Sequence, residues 1–104
     1  MTFGIITKVA APGEAYDAIH RAVLARAAQV SLEGLLVHIG RVTADGFEVI
    51  EVWESKEQMD AANKAVVDPA MAEVFGGDPP PGPPPVIETF DVRGLVIPAG
   101  NVFS

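Results

Sequence analysis

The sequence predicts a small α+β domain in which two helices cover one face of a four-stranded antiparallel sheet. Three observations predict it: an Ala-rich stretch with apolar residues at three- and four-residue steps, a capping box that opens a second helix, and short β-branched runs around both. The chain has 104 residues, of which 49% are hydrophobic and 20% charged. That size and composition predict one domain spanning residues 1–104.

The first strand and the first helix are predicted within residues 3–28. Residues 3–10 form a short β-branched run, which indicates a strand. The segment Ala11-Pro12-Gly13 ends it, and proline suits the entry to a helix. A helix is predicted from Glu14 to about Ala28, because this stretch lacks Gly and Pro and has a helical apolar spacing. The apolar residues that show this spacing are Tyr16, Ile19, Val23 and Ala27.

The central part of the chain predicts a β-hairpin. Its strands run from Leu35 to Val42 and from Phe47 to Glu54, on either side of Thr43-Ala44-Asp45-Gly46. An Asp-Gly pair readily supplies the positive φ that a tight turn needs.

The length of the hairpin loop decides which side chains lie opposite each other. A four-residue loop places His38 opposite Glu51. The same loop places Leu36 opposite Trp53. A two-residue loop places His38 opposite Trp53 and diagonal to Glu51. With either loop, an imidazole, a carboxylate and an indole share one otherwise apolar face of the sheet.

The second half of the chain predicts a helix and a last strand. Ser55-Lys56-Glu57-Gln58 is a capping box, and the helix it opens is predicted from Lys56 to about Val67. Asp68-Pro69 is expected to break this helix, with a further helical turn or two from Met71 to Phe75.

The remaining residues are rich in proline and then in β-branched residues. Gly76 to Pro85 predicts a stiff polyproline II-like connection. Val86 to about Ile97 predicts a long last strand, and Pro98 to Ser104 a tail that is loose or laid against a partner. The resulting order β-α-β-β-α-β is that of the ferredoxin-like fold.

Both faces of the predicted hairpin are largely apolar. The face opposite to that of His38 carries Leu35, Val37, Ile39, Arg41, Glu48, Ile50, Val52 and Glu54. Helices can cover only one face of the sheet, and a bare apolar face of this size usually marks an interface. The sequence therefore predicts a two-fold homodimer that pairs bare face with bare face.

Composition excludes several classes of partner and site. The formal charge is −7, with no basic stripe, which disfavours nucleic acid and anionic membrane surfaces. The chain has no cysteine, which excludes disulfides, thiolate metal sites and thiol nucleophiles. No apolar run reaches the roughly 20 residues of a membrane helix, and the N-terminal residues lack the features of a signal peptide. A cytoplasmic location is the resulting expectation.

His38 and Glu51 are the candidate catalytic residues. A carboxylate beside a histidine fixes its tautomer and leaves the other ring nitrogen as a base. The alternative is a polar cross-strand pair that serves only structure. Phe47 and Trp53 would form an apolar wall for a substrate, although a lone tryptophan in a strand is also a common core residue.

Tyr16 and His20 lie four residues apart on the first helix and therefore share one side of it. They are candidate substrate-binding residues if that side looks into a cavity, and rim residues of the core otherwise. Two histidines without a close spacing motif do not predict a metal site. No cofactor is predicted either.

The central stretch resembles the dimeric α+β barrel superfamily, and within it the antibiotic-biosynthesis-monooxygenase-type domains. The resemblance rests on segments 34–40, 45–47 and 52–59, which read GLLVHIG, DGF and VWESKEQM. It implies a dimer of ferredoxin-like domains. Its members include cofactor-free oxygenases of phenolic polyketides, haem-degrading oxygenases, lactone isomerases and polyketide cyclases.

The resemblance implies a cofactor-independent enzyme, monooxygenase-like or cyclase- or isomerase-like, that acts on a hydrophobic aromatic or polyketide-type small molecule. The alternative is a non-catalytic ligand-binding or structural dimer of the same fold. The positions that match the residues used in haem degradation are Thr7, about Ala62 and about Ala72, and none keeps the required residue type. Haem degradation is therefore not expected.

Overall fold

Four antiparallel strands form one sheet in the order β2-β3-β1-β4. The structure is a computed structural model that describes residues 2–78 and 82–97. The strands are β1 (Phe3–Val9), β2 (Leu35–Thr43), β3 (Gly46–Trp53) and β4 (Val86–Asp91). With the helices between them, this is the predicted ferredoxin-like fold.

Helical segments connect β1 to β2 and follow β3. The first is α1 (Gly13–Ala27), which contacts β2 and β3. The second consists of α2 (Lys56–Ala62), a π-helical turn (Asn63–Val67) and α3 (Asp68–Phe75). The predicted cap is confirmed, because the Ser55 hydroxyl accepts the Gln58 amide N–H at 3.2 Å and donates to Gln58 Oε1 at 2.9 Å.

The predicted break at Asp68-Pro69 is wrong, because the helical path continues to Phe75. The Asp68 amide donates to the carbonyl of Asn63, five residues back, so the turn before the proline is wider than an α-turn. Pro69 then lies in the first turn of α3, where a helix tolerates a proline. The helix ends at Gly76, which adopts the left-handed conformation with φ 65°.

The hairpin register agrees with the prediction near the turn and differs from it at the far end. Val42 pairs with Phe47 and His38 lies opposite Glu51, which is the register predicted for a four-residue loop, although Thr43 also pairs with Gly46 and leaves only Ala44 and Asp45 between the strands. The predicted pairing of Leu36 with Trp53 is wrong, since a bulge between Leu35 and Val37 places Leu35 there. Leu35 therefore packs with Trp53 against the core, although it was predicted on the other face.

The last strand is shorter than predicted and ends at Asp91. Among the described residues it pairs with β1, and Asp91 pairs with Phe3, the residue at which β1 begins. Because the two strands are antiparallel, residues after Asp91 have no residue of β1 opposite them. Beyond it, Val96 is 83% exposed. Residues 79–81 of the proline-rich connection and the tail 98–104 lie outside the described residues.

The helices cover the face of the sheet that carries His38, Phe47 and Trp53. Trp53 is 1% exposed and packs with Met59 and Ala62 of α2. On the opposite face Val52 and Glu48 are 7% and 8% exposed whereas Ile39 is 48% exposed, so the described residues cover that face only in part. Of the described residues, no helix is long and apolar enough to span a membrane. The cytoplasmic location stays a prediction.

Candidate functional site

A chain of hydrogen bonds joins side chains of α1, β2 and β3 on the helix-covered side of the sheet. It consists of Tyr16, His20, His38, Glu51 and Trp53, here termed the relay cluster. The sequence left open whether His38 lies between helix and sheet or at the bare face. The contact with Tyr16 of α1 places it between helix and sheet.

The carboxylate of Glu51 joins the two strand-borne members of the relay cluster. His38 Nδ1 lies 2.7 Å from Glu51 Oε2, and Trp53 Nε1 donates to Glu51 Oε1 at 3.1 Å. An ionised carboxylate only accepts hydrogen bonds, so Nδ1 of His38 carries the proton. In the neutral imidazole the other ring nitrogen, Nε2, then presents a lone pair.

Tyr16 makes a hydrogen bond to that lone pair. Its hydroxyl lies 2.8 Å from His38 Nε2 and donates to it. His20 Nδ1 lies 3.3 Å from the same hydroxyl oxygen and donates in turn. The rings are stacked, with the His20 and His38 centroids 5.3 Å apart and their planes 16° from parallel.

The surroundings keep the helix-borne members of the cluster uncharged near neutral pH. Burial raises the pKa of the Tyr16 phenol, and the negative charges of Glu51 and Asp17 raise it further. Burial lowers the pKa of His20, and His38 lowers it further, while Asp17 acts in the opposite direction. Tyr16 is therefore a protonated phenol, and His20 is a neutral imidazole.

Gly40 of β2 lets Tyr16 reach His38. A methyl group at Gly40 would lie 2.2 Å from Cζ of Tyr16, so only a glycine leaves room for the ring against the strand. Sequence reasoning missed this residue. The available signal was a glycine in the interior of a predicted strand, which often marks the close approach of another group.

A cleft of about 280 Å³ opens between the start of α1 and the turn end of the hairpin. Its lining residues are Gly13, Glu14, Tyr16, Asp17, Gly40, Arg41, Val42 and Phe47. Tyr16 is the one member of the relay cluster in this lining, and its ring meets that of Phe47 edge to face at 5.5 Å. The Arg41 side chain is held by a hydrogen bond from its Nε to Oε1 of Glu48 at 3.1 Å.

The structure separates the candidate substrate-binding residues into two groups. Phe47 and Tyr16 line the cleft, whereas Trp53 is buried in the core and His20 lies behind Tyr16, outside the lining. Trp53 thus contacts the candidate catalytic pair, His38 and Glu51, through its hydrogen bond to Glu51. Within residues 2–78 and 82–97, no three His, Cys, Asp or Glu side chains form a group that could hold a metal ion.

Comparison of the sequence with protein-family models and with curated proteins gives no match. Comparison of the fold with solved structures gives several. A candidate antibiotic biosynthesis monooxygenase from Caulobacter crescentus CB15 has 19% identity and a TM-score of 0.63, covering 89% of this chain and 91% of that one.

Two further structures have the same fold. SnoaB, a cofactor-independent oxygenase from Streptomyces nogalater, has 15% identity and a TM-score of 0.55, covering 91% of this chain and 94% of its own. The haem-degrader MhuD from Mycobacterium tuberculosis has 22% identity and a TM-score of 0.54, covering 90% and 98%. The chain thus has the ferredoxin-like α+β fold of the antibiotic biosynthesis monooxygenase-like proteins, as the sequence resemblance predicted.

Proposed function

We propose that the chain is a cofactor-independent enzyme that removes a proton from a hydrophobic aromatic or polyketide-type small molecule. One observation carries the proposal: Glu51 fixes the proton of His38 on Nδ1 at 2.7 Å and leaves Nε2 basic, within one hydrogen bond of a cleft-lining residue. The two side chains are 27% and 21% exposed, so their interaction is partly shielded from water.

In this proposal, His38 receives the substrate proton and Glu51 stabilises the imidazolium that forms. The indole of Trp53 holds the second oxygen of the Glu51 carboxylate and so fixes its orientation. Phe47 supplies an apolar wall of the cleft. An electron-rich substrate anion can react with dioxygen directly, which gives monooxygenase-like chemistry. The same base gives cyclase- or isomerase-like chemistry if the proton returns at another atom.

The oxygenase branch of this proposal is supported by the fold, which is shared with SnoaB, a cofactor-independent oxygenase. A ligand screen must identify the substrate.

The test is a thermal-shift screen of hydroxylated aromatic compounds against the wild type and His38→Ala, with Arg21→Ala on the exposed side of α1 as control. A ligand at 100 times its Kd stabilises the protein by about 2.7 kcal/mol, which is on the order of 10 °C in Tm for a domain of this size. Oxygen uptake is then measured with each hit. A His38→Ala protein that turns over a hit as fast as the wild type would refute the proposal.

A second candidate function is a non-catalytic ligand-binding or structural dimer. It is favoured by the fact that both ring nitrogens of His38 already have partners, Glu51 and Tyr16, inside the protein. A cluster that satisfies itself needs no ligand. This function predicts that cluster variants change stability alone and that no compound in the screen shifts the Tm.

We also propose that the chain forms a homodimer through the uncovered face of its sheet. Ile39 and Phe90 lie on this face and are 48% and 37% exposed. Apolar side chains that are exposed together on one face of a sheet favour an interface. A second copy of the chain is the partner that a self-complementary apolar face accepts.

A further inference from the structure

Resting on the proposed function, we infer that Tyr16 is the catalytic residue that meets the substrate, and that His38 acts through it. Tyr16 takes the substrate proton on its phenolic oxygen while its own proton moves to Nε2 of His38. The substrate is accordingly a neutral phenol or enol that presents an O–H group to the cleft.

Both ring nitrogens of His38 are occupied by hydrogen-bond partners within the protein. The Tyr16 hydroxyl already occupies His38 Nε2 at 2.8 Å, so a substrate proton cannot reach that nitrogen directly while this bond is made. Nδ1 of His38 is equally occupied by Glu51. Among the described residues that line the cleft, Tyr16 is the one that belongs to the relay cluster.

The direction of the hydrogen bonds leaves the Tyr16 oxygen able to accept a proton. A hydroxyl oxygen accepts as well as donates, and Tyr16 donates to His38. A lone pair of its oxygen is therefore free for a substrate O–H, beside the bond from His20 at 3.3 Å. The substrate O–H bond breaks, its proton binds to Tyr16, and the former Tyr16 proton binds to His38. The products are a substrate oxyanion, an unchanged tyrosine and an imidazolium paired with Glu51, so charge and atoms balance.

The class of substrate follows from the proton exchange at Tyr16. Proton exchange between oxygens of similar basicity is easiest, which matches a phenol or enol to the phenol of Tyr16.

Gly40 is the positioning residue of this relay, and the chain offers a matched control for it. In Gly40→Ala the added methyl would lie 2.2 Å from the Tyr16 ring, so the ring must shift from the position in which its hydroxyl bonds to His38. In Gly4→Ala the added methyl would lie 2.3 Å from the ring of Phe90, on the other face of the sheet. Both variants insert the same group under an aromatic ring, but only the first displaces Tyr16.

The experiment uses 4-nitrophenol as the probe, because its phenolate is yellow and its phenol is not. Binding is measured by thermal shift, and ionisation of the bound probe by absorbance at a pH where the free probe is un-ionised. We expect the wild type and Gly4→Ala to produce the phenolate. Tyr16→Phe, His38→Gln and Gly40→Ala are expected to bind the probe with at least a tenfold smaller phenolate signal.

The outcomes separate the inference from the proposed function. A phenolate signal that survives in Tyr16→Phe and Gly40→Ala but is lost in His38→Gln would overturn the role of Tyr16 and leave His38 as the direct base. No phenolate in the wild type, or an equal signal in all variants, would overturn both. If Tyr16→Phe does not fold, Gly40→Ala against Gly4→Ala decides the inference by itself.

Discussion

The chemistry of individual residues in the relay cluster follows from one carboxylate. Glu51 can only accept hydrogen bonds, so both Trp53 and His38 must donate to it. This leaves an acceptor on His38 whose partner among the described residues is the Tyr16 hydroxyl, and it leaves the Tyr16 oxygen to accept from His20. The position of each proton in this series of hydrogen bonds thus depends on the charge of Glu51.

Glu51→Gln should reverse the order of these protons. The amide oxygen can keep the Trp53 bond, and the amide nitrogen then donates to His38 Nδ1, which moves the histidine proton to Nε2. We expect loss of turnover with every substrate found, together with a loss of stability of about 1 to 2 kcal/mol from the missing charge-assisted bond. Nitrogen-15 NMR of the histidine ring reports the tautomer.

The control for this change is Glu33→Gln, at an exposed position between α1 and β2. It removes the same charge and should leave both the tautomer and the Tm close to those of the wild type. A wild-type tautomer in Glu51→Gln would contradict the proton order assigned to the cluster.

His20 should make the stability of the protein depend on pH. Its pKa is lowered from the ordinary 6.5, mainly by burial and then by His38. As the pH falls through 6.5, the unfolded chain takes up a proton before the folded one does, so the free energy of unfolding decreases until the lowered pKa is passed. Melting curves between pH 8 and pH 5 should therefore show a smaller decrease in Tm for His20→Gln than for the wild type. Equal decreases would mean that His20 titrates normally.

Sequence alone predicted the strand-borne part of the cluster. The turn signal and the alternation of side chains suffice to bring His38 and Glu51 together and to put Trp53 on the same face. The contact of Tyr16 with His38 could not be predicted in this way. It depends on how α1 is rotated and placed over the sheet, which a three- to four-residue apolar spacing does not specify.

At the scale of whole elements, local signals predicted where helices and strands begin better than where they end. The start of α2 is set by the neighbouring residues Ser55 and Gln58, and was predicted correctly. The end of β4 is set by the first residue of β1, far away along the chain, and was not. The passage of the helix through Pro69 likewise depends on the wider turn before it.

Ser55→Ala tests the cap at the start of α2. The variant removes both the hydrogen bond from the Gln58 amide and the bond to its side chain. Loss of a serine cap costs about 1 kcal/mol, which is about 4 to 8 °C in Tm for a domain of this size. Ser31→Ala, at an exposed position before β2, should leave the Tm unchanged. An unchanged Tm in Ser55→Ala would mean that tertiary packing alone fixes the start of the helix.

For the molecule as a whole, the main open surface is the face of the sheet turned away from the helices. The sequence predicted that both faces are apolar, and the structure determines which of them is covered. Because the relay cluster lies under α1 on the covered face, the proposed dimer does not need to contribute any residue to it. Assembly and chemistry can therefore be tested separately.

Ile39→Glu should separate the proposed dimer into monomers. Ile39 lies on the uncovered face and is 48% exposed in the single chain. A two-fold interface carries the change twice, and each buried carboxylate without a partner costs on the order of 3 kcal/mol, so the dimer Kd should rise by roughly 10⁴-fold. Light scattering should give about twice the chain mass of 10.9 kDa for the wild type and a single chain mass for the variant.

Leu24→Glu, at a position of α1 with 50% exposure, is the matched control and should stay dimeric. A monomeric wild type at micromolar concentration would refute the dimer, and a dimeric Ile39→Glu would place the interface elsewhere on the chain.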